Sequence, residues 1–487
     1  MAASTLLWGA GAVARAARGL PAAWTTSAVF LPTGLLVLAW FNHRLRSRAL
    51  AWAMFALSLA LAMIVFGAWA LAHRTALGGP SSTPAPRPSC TSVCPSRPRC
   101  NCASRPPGET AMKKIAALCA LPFLLAACEK GPRAVKIAMA LPLTGDVATL
   151  GQGIRRAALL AIEEARTAGR LPAVGVEVLE FDDRSDPKEA VNVANRIVSD
   201  PSVVAIIGHF NSGCSIPASR VYAQAGLPMM NAGSSNPELT RQQLSPQWRW
   251  PRVVFRANTT DDAQGTFAGE LVFGKLKKKT ALVVHDKTAY GQGIAEEFQK
   301  SYTALGGRAL AFDGIQPGDK DFKALLTRLK GLKPEAIFYG GTFTEGALLL
   351  RQARELGFAC PFVTGENSYD PDFIAIAGPG GEGAYVTYLG RPADLLPSAK
   401  IFVEKFQARY PGEPIRAYDH YGYEIANILI AALEKVGPDR GKIIGALQGL
   451  TYEGVLGTTT FDEKGDTLNK TISVFVVRKG QFVPADF

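Results

Sequence analysis

From Val135 onward, short apolar runs alternate with stretches of helical periodicity, and the alternation comes in two successive series. In the first, Val135 to Ala140, Val174 to Phe181, Val203 to Gly208 and Leu227 to Asn231 read as strands. Gln152 to Ala168 reads as a helix. Asp186-Pro187-Lys188-Glu189 opens another, with Asp as N-cap, Pro in the first turn and Glu three residues after the cap. The rhythm restarts at Thr280. Ala281 to His285 is a strand and Gly293 to Leu305 a helix, and Arg308 to Asp313, Ala336 to Tyr339 and Pro361 to Thr364 are further strands. Such alternation predicts parallel sheets covered by helices on both faces, here as two doubly wound lobes. Ligands of such sheets bind beyond the carboxyl ends of the strands. The loops of interest are therefore 208–215 and 232–236 in one lobe, and 285–293, 340–345 and 365–369 in the other.

The stretch before this region has a different character. Met112 to Cys128, MKKIAALCALPFLLAAC, has the parts of an export signal: Lys113 and Lys114, an apolar core, then Leu-Ala-Ala-Cys, which resembles a lipobox with Cys128 as the lipidated residue. The apolar core is too short to span a hydrocarbon layer of about 30 Å. A domain outside the cytoplasm is expected to follow it. Upstream, Ala49 to Ala72 carries no charged side chain and is long enough for a membrane helix. Gly19 to Asn42 is also uncharged but is interrupted by Pro21 and Pro32. Residues 79–110 are rich in Pro, Ser, Cys and Arg and lack apolar periodicity, so no packed structure is expected there. A membrane anchor ahead of a complete signal peptide is redundant. The preferred reading is therefore that translation starts at Met112 and that residues 1–111 are a joined upstream frame; the alternative is a genuine two-span extension.

The formal net charge is +12, yet residues 1–111 alone hold ten Arg against one Glu. The basic excess lies mostly upstream, and nucleic-acid binding, which needs basic residues gathered on a folded face, is not expected. Signatures of enzymes are missing too: there is no G-x-S-x-G, H-E-x-x-H, P-loop or G-x-G-x-x-G after a strand. Cys90, Cys94, Cys100 and Cys102 lack the spacing of a zinc site. His209 and His285 end apolar strands and are expected to be structural. Spacing alone does not pair Cys214 with Cys360. The chain is expected to be a non-enzymatic monomer needing no cofactor or metal.

The candidate loops carry hydroxyls and one notable acid. Ser212 and Gly213 precede a helix expected near Cys214 or Ser215. Ser234 and Ser235 precede Pro237-Glu238-Leu239, another helix start. Hydroxyls and backbone N–H groups there suit a carboxylate. Glu366, after a strand of the other lobe, suits an ammonium group. An α-amino acid carries both charges. Ser212 and Glu366 are expected on loops that the open form exposes.

At these residues the chain resembles the leucine/isoleucine/valine-binding proteins of bacterial ABC importers. The matching segments are FDDRSDPKEAVNVANRIV (181–198), IIGHFNSG (206–213), NPELT (236–240), VHDKTAYGQG (284–293), DGIQPGDKDF (313–322), YGGTFTEG (339–346), LRQAR (350–354) and FDEKGD (461–466). The resemblance implies a type I periplasmic binding fold: two doubly wound parallel-sheet lobes joined by a three-stranded hinge. Lobe one would comprise 133–258 and 389–458, and lobe two 259–388 and 459–487. It further implies that Ser212 and Ser235 hold a ligand carboxylate and that Gly233 offers a carbonyl to the ammonium. Glu366 would pair with that ammonium, while Tyr290 and Thr342 stand at pocket walls. Thr342 and Leu150 replace aromatic residues common in the family, and Ser185 and Asn211 occupy the positions of its best-known disulfide. The implied function is capture of an aliphatic amino acid for an inner-membrane ABC permease, from the periplasm, with Cys128 as anchor. A sensor of the same fold for an amide is the alternative.

Overall fold

The structure, a computed structural model, describes residues 135–171 and 175–487. The spans at 19–42 and 49–72, the tract 79–110, the signal at 112–128 and Cys128 lie outside the described residues, as does the expected strand start at Val174. Among the described residues no helix is long and apolar enough to cross a membrane.

The first sheet contains β1 (Val135–Leu141), β2 (Val176–Asp182), β3 (Val203–Gly208), β4 (Met229–Asn231) and β5 (Val254–Arg256), in the order β2-β1-β3-β4-β5. All its pairings are parallel. Every residue of β3 is buried, which is why it reads as an unbroken apolar run; edge strand β2 is only partly covered. Helices α1 (Ala148–Thr167), α2 (Pro187–Val198) and α3 (Ser212–Gln224) make the crossovers. Asp186 caps α2 through a bond from the Glu189 N–H at 2.7 Å, with Pro187 in the first turn. The short α4 (Glu238–Arg241) follows β4.

The second sheet gathers β6 (Thr280–His285), β7 (Arg308–Gly314), β8 (Ala336–Gly340), β9 (Phe362–Thr364) and β10 (Tyr385–Leu389), wound with α5 (Asp261–Glu270), α6 (Ala289–Ala304), α7 (Lys323–Lys330), α8 (Phe343–Glu355) and α9 (Pro371–Ala377). Strands β7-β6-β8-β9-β10 are parallel. The sheet does not stay parallel to its edge. After α10 (Lys400–Arg409), α11 (Asp419–Val436), α12 (Arg440–Gln448) and the hairpin β11 (Thr451–Gly454)–β12 (Gly457–Thr460), the chain returns as β13 (Ile472–Arg478) and β14 (Gln481–Pro484). These two strands extend the sheet antiparallel beside β10. A hairpin needs only a tight turn, so no crossover helix separates them.

The chain thus passes between the two sheets three times, at 257–260, 390–399 and 461–471. The middle passage sends α11 back to the first layer, where it packs along α1 and against β3 and β4. Buried on nearly every side, α11 is apolar around most of its circumference. The third passage is pinned by a buried ion pair between Arg256 of β5 and Asp466. Gly465 makes that approach: at φ +90 it hands its carbonyl to the Arg256 N–H at 2.8 Å, and a Cβ there would run into the Val254 carbonyl.

Candidate functional site

The carboxyl ends of β3, β4, β6, β8 and β9 all lead to the residues singled out from the sequence. Ser212 is the first residue of α3, two positions before the expected helix start. Its hydroxyl oxygen accepts from the Asn236 N–H at 3.3 Å. Gly233 follows β4; its N–H donates to Asn231 Oδ1 at 3.1 Å, and a Cβ there would strike the Phe210 ring. Its carbonyl therefore sits where only glycine lets Phe210 pack. Ser235 is buried, and its hydroxyl meets no hydrogen-bond partner.

On the opposite side, Glu366 begins a 3₁₀ turn directly after β9, and Tyr290 lies in the first turn of α6. The Tyr290 hydroxyl donates to Glu366 Oε2 at 3.0 Å. Thr342, the N-cap of α8, is not drawn into this set: its hydroxyl donates to Glu345 Oε2 at 2.7 Å. The sheets approach one another here. Asn236 Nδ2 donates across the cleft to the Ala289 carbonyl at 2.6 Å, and a Cβ on Gly213 would touch Ala289 at 3.9 Å. In this closed arrangement Glu366 is 1% and Ser212 2% exposed, so both are interior residues here.

Four residues absent from the sequence reading join the cluster: Tyr418, Asn258, Asp261 and Gln264. Tyr418 OH lies 2.9 Å from Glu366 Oε1 and 2.6 Å from Asn367 Oδ1. One hydroxyl proton cannot serve both. With the Asn367 amide turned, its NH₂ donates to the Tyr418 oxygen and the hydroxyl donates to Glu366. Phe210 meets the Tyr418 ring edge-on at 5.0 Å, bracing from the first layer the hydroxyl that reaches Glu366. Burial raises the Glu366 carboxyl above its ordinary range, against the pull of its own backbone N–H, Tyr418, Gln264 and Tyr290. Burial, and then the charge of Glu366, raises Asp261 well above the carboxylate range, with Ser235 and Arg256 opposing. Tyr290 and Tyr418 are also raised well above the phenol range, first by burial and then by Glu366, so both stay protonated donors.

The structural residues behave as the sequence suggests. His209 is wholly buried, with Nδ1 2.7 Å from Asp183 and Nε2 2.9 Å from Tyr222 OH. Cys214 and Cys360 are free thiols. Ser185 Oγ and Asn211 Oδ1, at the positions of the absent disulfide, are buried without partners. The geometry as a whole offers neutral donors on one side and buried carboxylates on the other, with no activated nucleophile among the residues named.

Comparisons with known proteins agree with this architecture. The family model described as periplasmic binding protein matches residues 134–481. A Leu/Ile/Val-binding protein homolog from Brucella melitensis is 36% identical over 334 residues, covering 68% of this chain and 87% of that protein. A leucine-, isoleucine-, valine-, threonine- and alanine-binding protein from Pseudomonas aeruginosa is 36% identical over 342 residues, covering 70% and 89%. A solved leucine-binding protein from Thermotoga maritima superposes with a TM-score of 0.66 at 31% identity, covering 72% of this chain and 98% of that one. A branched-chain amino acid transporter substrate-binding protein from Streptococcus pneumoniae, solved with isoleucine, gives 0.64 at 26%, with the same coverage. The chain belongs to the Leu/Ile/Val-binding family of periplasmic binding proteins and has their type I fold.

Proposed function

We propose that this protein captures an aliphatic amino acid in the cleft and delivers it to the permease of an ABC importer in the inner membrane. The reading is carried by one observation: hydroxyl-bearing Ser212 and Ser235 lie on one side of the closed cleft, and Glu366, held under two tyrosine hydroxyls, lies on the other. Neutral donors suit the carboxylate, while Glu366 and the Gly233 carbonyl suit the ammonium group. Tyr290 and Phe210 give the side chain an aromatic wall, and Thr342 leaves room where the family often has a tyrosine. The working unit is a monomer of two lobes, 133–258 with 389–458 and 259–388 with 459–487. Binding closes them about the three passages, and the closed form docks on the permease. Residues 112–128 serve as a lipoprotein signal, leaving the protein in the periplasm anchored through Cys128. It performs no chemistry on its ligand.

A calorimetric screen of the twenty amino acids and short aliphatic amides tests this. Saturable binding of leucine, isoleucine or valine is expected, with the amides inert. Binding of amides alone would replace the transport reading with that of an amide sensor.

A further inference from the structure

The three passages between the layers share a cavity of about 240 Å³. Thr259 lines it from the first passage, Gly390 and Arg391 from the second, and Thr467, Asn469 and Thr471 from the third. It is distinct from the amino-acid cleft, for none of Ser212, Ser235, Tyr290 and Glu366 lines it. Its volume lies below the roughly 300–1,000 Å³ of sites for drug-sized ligands, so it suits a small ion with a few waters.

The backbone acceptors around this cavity are already used. The Asn469 carbonyl takes the Thr259 hydroxyl at 3.0 Å, and the Leu389 carbonyl takes the Tyr421 hydroxyl at 2.5 Å. The Gly390 carbonyl accepts from the Ser473 hydroxyl, the Arg391 carbonyl from His420 Nε2 at 3.1 Å, and the Thr471 carbonyl from the Gly390 N–H at 2.8 Å. Donors, by contrast, are left over. Asn469 Oδ1 accepts from the Thr471 N–H at 3.1 Å, which fixes the amide and leaves its NH₂ without a partner among the described residues. Thr467 Oγ1 accepts from the Asn469 N–H at 3.1 Å and keeps its own proton to give. The Arg391 guanidinium and the Thr471 hydroxyl, both on exposed residues, also have no partner among the described residues. No acidic side chain lines the cavity. Glu424, behind Thr459, is occupied by the Thr459 hydroxyl at 3.1 Å and the Val455 N–H at 2.8 Å. One guanidinium, one amide NH₂ and two hydroxyls with no acid among them suit a group made of acceptors and carrying negative charge.

We propose that this cavity binds a small oxyanion (a carboxylate, phosphate or sulfate) and that its occupancy favours the closed lobes. Arg391, Thr467, Asn469 and Thr471 are the donors. They come from the second and third passages, and Thr259 of the first is tied to Asn469, so their convergence depends on the angle the three passages hold in this closed arrangement. Rotation of the lobes about those passages spreads them. A ligand that binds one arrangement better shifts the population toward it, and leucine and the anion must then tighten one another by the same factor. The coupling, though not the anion site itself, rests on the amino-acid reading of the cleft.

The test is calorimetry at constant ionic strength on wild type, Arg391→Gln and Thr471→Val. Inorganic phosphate, sulfate and succinate are titrated with and without saturating leucine, and the tightest of the three identifies the source chemistry. At least one should bind wild type saturably. Arg391→Gln should weaken it about tenfold or more and Thr471→Val about threefold, as expected for losing a charged and a neutral hydrogen bond. Saturating leucine should tighten the anion about threefold or more, and the anion should tighten leucine equally. Without oxyanion, Arg391→Gln should bind leucine as wild type does; with it, the gain should vanish. Saturable binding of none of the three, or binding that both variants leave unchanged, would overturn the site. An anion that leaves leucine affinity unmoved would overturn the coupling, and one that weakens leucine competes in the cleft and overturns both. If the anion binds, Arg391→Gln loses it and no amino acid binds, the anion site stands and the amino-acid reading falls.

Discussion

Two N–H groups of Arg256, Nε at 3.0 Å and Nη2 at 2.6 Å, converge on one oxygen of Asp466, leaving Oδ2 to the Thr240 hydroxyl at 3.1 Å and Lys464 at 3.2 Å. Burial is the largest single influence on Asp466 and opposes its ionisation, but the charge and hydrogen bonds of Arg256, with Lys470 and Lys464, together outweigh it and hold the carboxyl below its usual range. Breaking such a buried pair from one side typically costs about 3–5 kcal/mol, whereas an apolar replacement of both partners is far milder. Arg256→Met should therefore lower the urea midpoint sharply, and Arg256→Met with Asp466→Leu should recover most of it. Ligand affinity should stay low in the double variant, because Nη1 no longer fixes the carbonyls of Ser234 and Asn236. Full recovery of affinity in the double variant would show that this guanidinium does not shape the cleft.

Ligand binding should release protons. Asp261 and Glu366 are both raised by burial, and Asp261 also by Glu366. The groups facing them are each other, Arg256, Asp262, Ser235, Gln264, Tyr290 and Tyr418, and of these only Arg256 carries positive charge. An arriving ammonium lowers both carboxyls, so affinity rises with pH through the titration of the ligand-free pair. Within that titration the binding enthalpy of leucine should differ between buffers of unlike ionisation enthalpy. Identical enthalpies would mean that both acids are already ionised before the ligand arrives.

Asp419 should destabilise the fold at neutral pH. Its carboxyl is buried beneath α1, with Oδ1 unpaired, and burial pushes it up to about 7. The Arg416 N–H, Arg156 and Arg416 oppose the rise, and Asp370 adds to it. The free acid titrates near 3.9, so the folded protein holds a proton that the unfolded chain has lost. The associated stability is whole below about pH 4 and disappears as pH climbs through 7. Asp419→Asn should be close to wild type in melting temperature at pH 4.5 and clearly higher at pH 8.5. Parallel melting curves at both values would remove Asp419 from the account.

Closure should be visible in solution. The Asn236–Ala289 hydrogen bond spans the cleft at 2.6 Å and can exist only with the sheets together. Small-angle scattering should give a smaller radius of gyration at saturating leucine than without it. Asn236→Ala should need more ligand to reach the same contraction, by about 0.5–1.5 kcal/mol in binding free energy. An unchanged radius at saturation would mean that the cleft is closed beforehand.

Local chemistry made much of the architecture readable. The wholly apolar Val203–Gly208 strand and the Asp-Pro-x-Glu start of α2 each depend on a few neighbouring residues, and both appear where expected. Helix α3 begins earlier than its sequence suggests because Ser212, Gly213 and Pro217 mask the helical pattern while the helix packs against α6 of the other layer. The antiparallel strands β13 and β14 depend on pairing with β10, more than eighty residues upstream, which no local window contains. Within the cleft, Ser212 and Glu366 are reachable from the chemistry of their loops and Tyr290 through family resemblance. Asp261 was not, since an acid in the first turn of a helix ordinarily faces water and favours the helix dipole. Its distinction is that both of its oxygens are buried without a partner, a property of the closed lobes. Tyr418 was hidden likewise, in an aromatic helix start that reads as core.

The order in which the polypeptide is made bears on how it can reach its destination. Strand β10 waits for β13 and β14, which end at Pro484, and the first layer waits for α11 to cover α1. The first layer cannot be covered until Val436, nor the second sheet completed until Pro484, has left the ribosome. Contacts between segments so distant form slowly. A nascent chain with this interleaving completes its layers late, a delay that a leader at 112–128 would need for threading through a translocation pore.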